Sequence, residues 1–163
     1  MKKKYYLLLI IFLCLLDQVS KYVVLKTFEV GEAVSIIKDF LRIIFVKNTG
    51  ISFGMFSDMR IPIIILTVII ICYMFYEFYK SKNKIHLFAV VLIISGAIGN
   101  LIDRLVRGYV IDFISFELLK HEMAIFNMAD SFITLGVLIY IYDMFRNGGD
   151  SSEEDSSAEW KCW

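Results

Sequence analysis

The sequence predicts an all-α membrane protein: a four-transmembrane-helix bundle with a small strand-rich extracytoplasmic lobe. Three observations carry that prediction. Hydrophobic residues fill 58% of 163 positions and the mean hydropathy is +0.68, more apolar surface than one small soluble core can hide. Four segments are each about 20 mostly apolar residues long, the length a helix needs to cross roughly 30 Å of hydrocarbon. Basic residues gather at the flanks of these segments.

The first segment runs from about Tyr5 to Leu25, the second from Ile61 to Tyr79, the third from about Ile85 to Leu105 and the fourth from about Ile125 to Phe145. Lys2, Lys3 and Lys4 precede the first. Lys80, Lys82 and Lys84 fill the connection between the second and third, and Arg146 follows the fourth, so the positive-inside rule puts both termini in the cytoplasm. The segment 26–60 then lies outside. Its basic residues are sparse and mixed with Glu29, Glu32, Asp39 and Asp58. Imperfect alternation around Val34 to Ile37 and Leu41 to Val46, ahead of turn-prone Asn48, Thr49 and Gly50, predicts a strand-rich lobe on the membrane surface. A second, shorter outer loop covers 106–124. Residues 1–146 thus make one membrane domain, and 147–163 read as a disordered acidic cytoplasmic tail, with Asp150, Glu153, Glu154, Asp155 and Glu159 against Lys161. A cleaved leader ending at Cys14 is disfavoured. Leu13 stands where a small residue is needed, and apolar sequence resumes after Asp17.

Lys plus Arg and Asp plus Glu each count 17, which gives no reason to expect a nucleic-acid partner. Without the tail the balance is 16 basic to 12 acidic residues, a body of +4. Cys14 and Cys72 lie in apolar runs and Cys162 in the tail, so no disulfide framework and no C-x-x-C metal site follows, and no metal or cofactor is expected.

A charge at the centre of a span costs roughly 2.5–3.5 kcal/mol on insertion scales, so each needs a partner or a purpose. Asp17 and Lys21 occupy the first span, Asp103 and Arg104 the third, and Asp130 the fourth, with Asn100 and Asn127 beside them. Given the orientation, all lie in the outer half of the membrane. Separate segments therefore deliver polar groups to one level, which implies a shared site. Asp17 and Lys21 are one turn apart; Asn127, Asp130 and Thr134 share a helical face, as do Asn100, Asp103 and Arg107. Ser95, Gly96 and Gly99 give the third span a narrow surface for close helix approach. Asp17 with Lys21, and Asp103 with Arg104, suit structural ion pairs.

Asp130 and Asp112 differ: Asp130 lies about one turn inside the fourth span without a cation nearby in sequence. Asp112 sits in Val110-Ile111-Asp112-Phe113-Ile114, an apolar setting that suggests a loop folded back on the bundle. Two carboxylates brought together at a low-dielectric boundary resist ionising together, so one keeps a proton while the other acts as a base toward water. That is the chemistry of aspartic peptide hydrolysis, and such a pair titrates as a unit.

These residues resemble the lipoprotein signal peptidases, the type II signal peptidases of the bacterial cytoplasmic membrane. The likeness rests on Asp17-Gln18-Val19-Ser20-Lys21, Asn48-Thr49-Gly50-Ile51-Ser52-Phe53-Gly54, Gly99-Asn100-Leu101-Ile102-Asp103-Arg104, Val110-Ile111-Asp112-Phe113 and Phe126-Asn127-Met128-Ala129-Asp130, in family order over nearly all of residues 5–145. The resemblance implies an aspartyl endopeptidase that removes the signal peptide from diacylglyceryl-modified prolipoproteins, cutting before the lipidated Cys near the outer face. It implies Asp112 and Asp130 as the catalytic pair, and Asp17, Lys21, Asn48, Asn100, Arg104 and Asn127 as substrate-binding residues. Asp103 and Gly54 would be structural support. The implied partners are prolipoproteins and membrane lipids, with no metal, a monomeric enzyme, and peptide inhibitors such as globomycin blocking the site.

Other classes fit less well. A membrane serine protease would need Ser95 to meet a His, but His86 begins the third span at the cytoplasmic side and His121 lies in the outer loop. A small proton-coupled transporter or channel subunit would need polar groups at several depths, whereas Glu77 and Asp143 lie only at the cytoplasmic rim. A scaffold with polar groups as packing glue would lose assembly rather than turnover when Asp112 or Asp130 is replaced.

Overall fold

A computed structural model describes residues 2–50, 60–118 and 121–158. The order is α1 (Lys3–Thr27), β1 (Ala33–Ile37), β2 (Leu41–Asn48), α2 (Arg60–Lys80), α3 (Lys84–Val106), β3 (Val110–Leu118), β4 (His121–Phe126) and α4 (Met128–Ala158). All four helices are long and apolar enough to cross a membrane, with the apolar part of α4 ending at Arg146. Helix is the form an apolar segment takes in lipid because it satisfies every backbone group internally.

Helix α3 is central. It buries thirteen residues against five in α1 and two in α2, and it packs on all three other helices. Large side chains on α1, α2 and α4, such as Leu8, Phe12, Ile65, Ile69, Leu138 and Phe145, stay exposed on the outside of the bundle, where lipid chains replace water. Two close approaches bind α3 to its neighbours. A Cβ added at Gly96 would lie 2.2 Å from the Ala129 carbonyl oxygen, and one at Gly99 would lie 2.4 Å from Asp17 Oδ2. Small residues at these points let the α4 backbone and the Asp17 side chain of α1 pack directly on α3.

The strands form one antiparallel sheet in the order β1-β2-β3-β4. The β1–β2 hairpin turns through Asp39, whose φ of 56° is one that Asp tolerates better than most side chains. Sequence alone predicts a loop over 106–124; instead the segment supplies half of the sheet. Helix α3 ends because Gly108 takes a φ of 86°, with the amides of Arg107 and Gly108 closing on the Asp103 carbonyl, and the chain then enters β3 directly. Alternation along β3 sends Ile111 and Phe113 to one face, where they join Phe45 and Val24 in a core, and Asp112 to the other.

Two boundaries move. The fourth span starts at Met128, not Ile125, because Ile125 and Phe126 belong to β4. Hydropathy counts both as apolar and cannot see that Asn127 caps the helix behind them. At the other end α4 continues helical past Arg146 to Ala158, where sequence predicts irregular chain; an existing helix gains a hydrogen bond for each residue it adds, which favours propagation.

The end of the bundle away from the sheet is tied by polar groups. Lys3 Nζ donates to the Tyr79 carbonyl, joining α1 to α2. His86 lies between Glu77 (3.3 Å) and Asp143 (3.4 Å), and Asn83 donates to Asp143 at 2.8 Å while its own Oδ1 caps α3. His86 thus stands largely covered between carboxylates of the two neighbouring helices, not the solvated flank that its place at a span end suggests.

Candidate functional site

Where α4 meets the sheet, two carboxylates are joined through one residue. Asn127 precedes α4 and Asp130 is the third residue inside it. The Asp130 amide donates to Asn127 Oδ1 at 3.0 Å and the Asn127 amide donates to Asp130 Oδ2 at 3.2 Å, a reciprocal cap that satisfies two groups the helix start leaves open. Asn127 Nδ2 then donates to Asp112 Oδ1 at 2.7 Å and to Asn100 Oδ1 at 3.2 Å. Asn127 has no exposed surface, so its side chain fixes how Asp112 on β3 stands relative to Asp130 on α4.

The remaining carboxylate oxygens are also met. Asn48 Nδ2 donates to Asp112 Oδ2 at 2.8 Å, and Asn100 Nδ2 donates to Asp130 Oδ1 at 2.8 Å. Register explains the first contact. Val46 pairs with Asp112 and Asn48 with Val110, which makes Asn48 the diagonal neighbour of Asp112 across the β2–β3 ladder. Asp112 is 3% exposed, and loss of water is the main cause that pushes its carboxyl up to about 6; the Asn48 hydrogen bond opposes this and the nearby Asp130 charge adds to it. The Arg104 guanidinium carries positive charge close to Asp130 and Asp112 and donates to the Gly50 carbonyl at 3.3 Å.

Behind the pair lies a buried ion cluster. Lys21 Nζ meets Asp17 Oδ2 at 2.9 Å, Asp103 Oδ2 at 3.1 Å and Asn100 Oδ1 at 3.0 Å, which uses all three ammonium hydrogens. Asp17 Oδ1 accepts the Ala129 amide at 3.0 Å, a further open group of the α4 start. Asp103 pairs with Arg107 and Lys21, not with Arg104 as sequence suggests. Adjacent helical residues point about 100° apart, whereas Arg107 is one turn on and faces the same way.

The structure therefore brings Asp112, Asp130, Asn48, Asn100, Arg104 and Asn127 to one centre, with Asp103 behind it. Asp17 and Lys21, expected among the substrate-binding residues, are fully buried and spend their polar atoms within the protein. Gly54 lies outside the described residues. Sequence reasoning overlooked Gln18, whose Nε2 lies within 3.3 Å of Asp17 Oδ2, the Gly99 carbonyl and Asp103 Oδ1, and whose Oε1 accepts from Arg107 at 3.0 Å. Its signal was its place beside Asp17 in an apolar span. Asn127 and Asp130 also carried a readable one, a capping residue and an acid at the spacing of a capping box.

Four apolar helices, three of which carry side chains into a shared cluster of carboxylates and carboxamides, define a polytopic membrane protein with an internal polar centre. Comparisons with known proteins narrow this class. A family model described as signal peptidase (SPase) II matches residues 9–146. The lipoprotein signal peptidases of Staphylococcus aureus strains JH9 and Newman are each 34% identical over 161 residues, covering 95% of this chain and 99% of theirs. Two solved structures, both described as a bacterial membrane enzyme, align with TM-scores of 0.84 and 0.79 at 33% and 34% identity. The first alignment covers 90% of this chain and 91% of the solved one; the second covers 86% and 92%. The chain belongs to the signal peptidase II family, a family of peptidases.

Proposed function

We propose that this peptidase removes signal peptides from diacylglyceryl-modified prolipoproteins by aspartic hydrolysis, with Asp112 and Asp130 as the catalytic pair, cutting before the lipidated Cys. The observation that carries this reading is the pair itself: two carboxylates joined by Asn127, with every oxygen accepting an N–H. In the reaction Asp130 takes a proton from water as the water oxygen attacks the scissile carbonyl. Asp112, holding the shared proton, donates it toward the carbonyl oxygen. Collapse of the tetrahedral intermediate breaks the C–N bond: the leaving nitrogen takes the proton from Asp130, Asp112 takes one back from a diol hydroxyl as the carbonyl re-forms, and the pair again holds one proton. Substrate lying over the pair removes the remaining water and so favours the protonated Asp112 further.

Asn127 commits its amide hydrogens to Asp112 and Asn100, which leaves Asn48 and the Arg104 guanidinium as the groups suited to meet the oxyanion and the substrate backbone. Asn100 and Asn127 orient the pair. Both termini lie in the cytoplasm and the pair near the outer face of the bacterial cytoplasmic membrane; in support, the Lys3 contact with Tyr79 gathers the basic flanks at the end opposite the sheet. The enzyme works as a monomer, and peptide inhibitors such as globomycin occupy the same centre. A transporter reading gains nothing from the structure, since buried Val90, Val91 and Ile94 fill α3 between its two polar ends.

The test is cleavage of a purified precursor presented in lipid with and without its diacylglyceryl group. The modified form will be cut and the unmodified form will be a poor substrate. Equal rates on both would overturn the assignment of substrate.

The raised Asp112 carboxyl also sets a pH dependence of stability. A carboxyl whose folded pKa is above the ordinary 3.8 stabilises the fold fully below that value and loses the contribution as pH rises through about 6. Thermal unfolding in detergent should therefore show stability falling between about pH 4 and pH 7, by roughly 3 kcal/mol at most. Asp112→Asn should flatten that slope. A variant with the parent slope would place its origin elsewhere.

A further inference from the structure

We propose that Lys21 is a positioning residue for hydrolysis: its buried ammonium decides which end of the Asn100 carboxamide faces Asp130. The inference rests on the reading of Asp112 and Asp130 as the catalytic pair and adds how Asp130 is oriented.

A carboxamide turned by 180° fills nearly the same volume but exchanges donor for acceptor. At Asn100 two donors converge on Oδ1, Lys21 Nζ at 3.0 Å and Asn127 Nδ2 at 3.2 Å. The turned amide would set its NH2 against an ammonium and a second NH2. One orientation survives, and in it Nδ2 donates to Asp130 Oδ1 at 2.8 Å. Asp130 therefore meets a donor on that side at every turnover.

Lys21 itself has no room to relax. Its other two hydrogens go to Asp17 and Asp103, both fully buried. Those acids are fixed from behind: Asp17 by the Ala129 amide and Gln18, Asp103 by Arg107 and the Ile111 amide at 3.2 Å. Reaching a substrate would cost Lys21 three buried charge-assisted bonds, so its influence passes through Asn100. Among the described residues, the charges facing the centre from the packed elements are Asp112 on β3, Arg104 on α3 and Asp130 on α4, and Lys21 is the one cation whose hydrogen bond reaches Asp130 through a single side chain.

The experiment is steady-state cleavage of lipid-modified precursor by full-length enzyme. Lys21→Met removes the ammonium at similar volume but leaves Asp17 and Asp103 short of a cation. Asp17→Asn/Lys21→Met restores neutrality and keeps an acceptor for the Ala129 amide; it is compared with Asp17→Asn alone. Loss of positioning should lower kcat by about 100-fold while KM stays within about threefold. In an Asn100→Leu background, Lys21→Met should add less than about threefold, because both act along one path. The inference is overturned if KM rises with kcat intact, which is substrate contact. It is equally overturned by a folded Asp17→Asn/Lys21→Met enzyme that turns over like Asp17→Asn, or by fully additive losses in the Asn100→Leu background. Normal cleavage by Asp112→Asn and Asp130→Asn instead removes the catalytic reading, and this inference with it.

Discussion

Asp112→Asn and Asp130→Asn will each lower cleavage of a lipid-modified precursor by about 10³-fold or more while leaving a folded protein in the membrane. The size follows from what each group does: a positioned proton donor or acceptor is worth roughly 10²–10⁴ in rate, and members of a unit fail together. Asn keeps the shape of either side chain and can still accept through Oδ1, so the capping contact of residue 130 with Asn127 survives in part. The double variant should be hardly worse than either single one. Turnover near the parent rate by either variant, measured on purified protein, would falsify the pair as the reacting groups. A fall in cleavage matched by loss of folded protein would instead favour a packing role.

Gly96→Ala is expected to cost about 3 kcal/mol, the upper end of what overpacking a close contact costs. The added Cβ would fall 2.2 Å from the Ala129 carbonyl oxygen and 2.7 Å from Ile133 Cγ1. A flexible side chain could step aside, but a helical carbonyl cannot, so α3 and α4 must separate. Separation also lengthens the Asn100 contact with Asp130 and the Ala129 contact with Asp17, so activity should fall with stability. Gly31→Ala is the reference: nothing lies within 4 Å of its Cβ, and only the backbone penalty of a φ of 87°, about 1 kcal/mol, remains. Equal unfolding midpoints for the two variants would contradict the close α3–α4 approach.

The helices were legible in the sequence because length and hydropathy alone decide them, and Asp17 with Lys21 because a one-turn spacing fixes a shared face. The sheet was half legible. The β1–β2 hairpin alternates and turns at Asp39, but in β3 Asp112 interrupts a run of apolar residues that are buried on both faces, so no period-two pattern marks it as a strand. Strand β4 was lost for a different reason: its last residues, Ile125 and Phe126, are apolar and adjoin an apolar helix. The pairing of Asp103 with Arg107 needed helical geometry rather than adjacency. That Asp17 and Lys21 would be wholly internal could not be read from their types, because burial depends on how closely Gly99 lets α1 approach α3.

The reciprocal cap at Asn127 and Asp130 has a consequence for the order in which the protein is made. The chain begins with Asp17 in the first helix, yet that side chain's partner, the Ala129 amide, is supplied 112 residues later. Asp112 lies on the third strand and Asp130 one turn into the last helix. A ribosome-bound chain with three helices inserted can gather Asp17, Lys21 and Asp103, but it holds one aspartate of the proposed pair and lacks the asparagine that aims it. No growing fragment carries a complete site. On the proposed reading of the pair, hydrolysis therefore waits for the arrival of the final span.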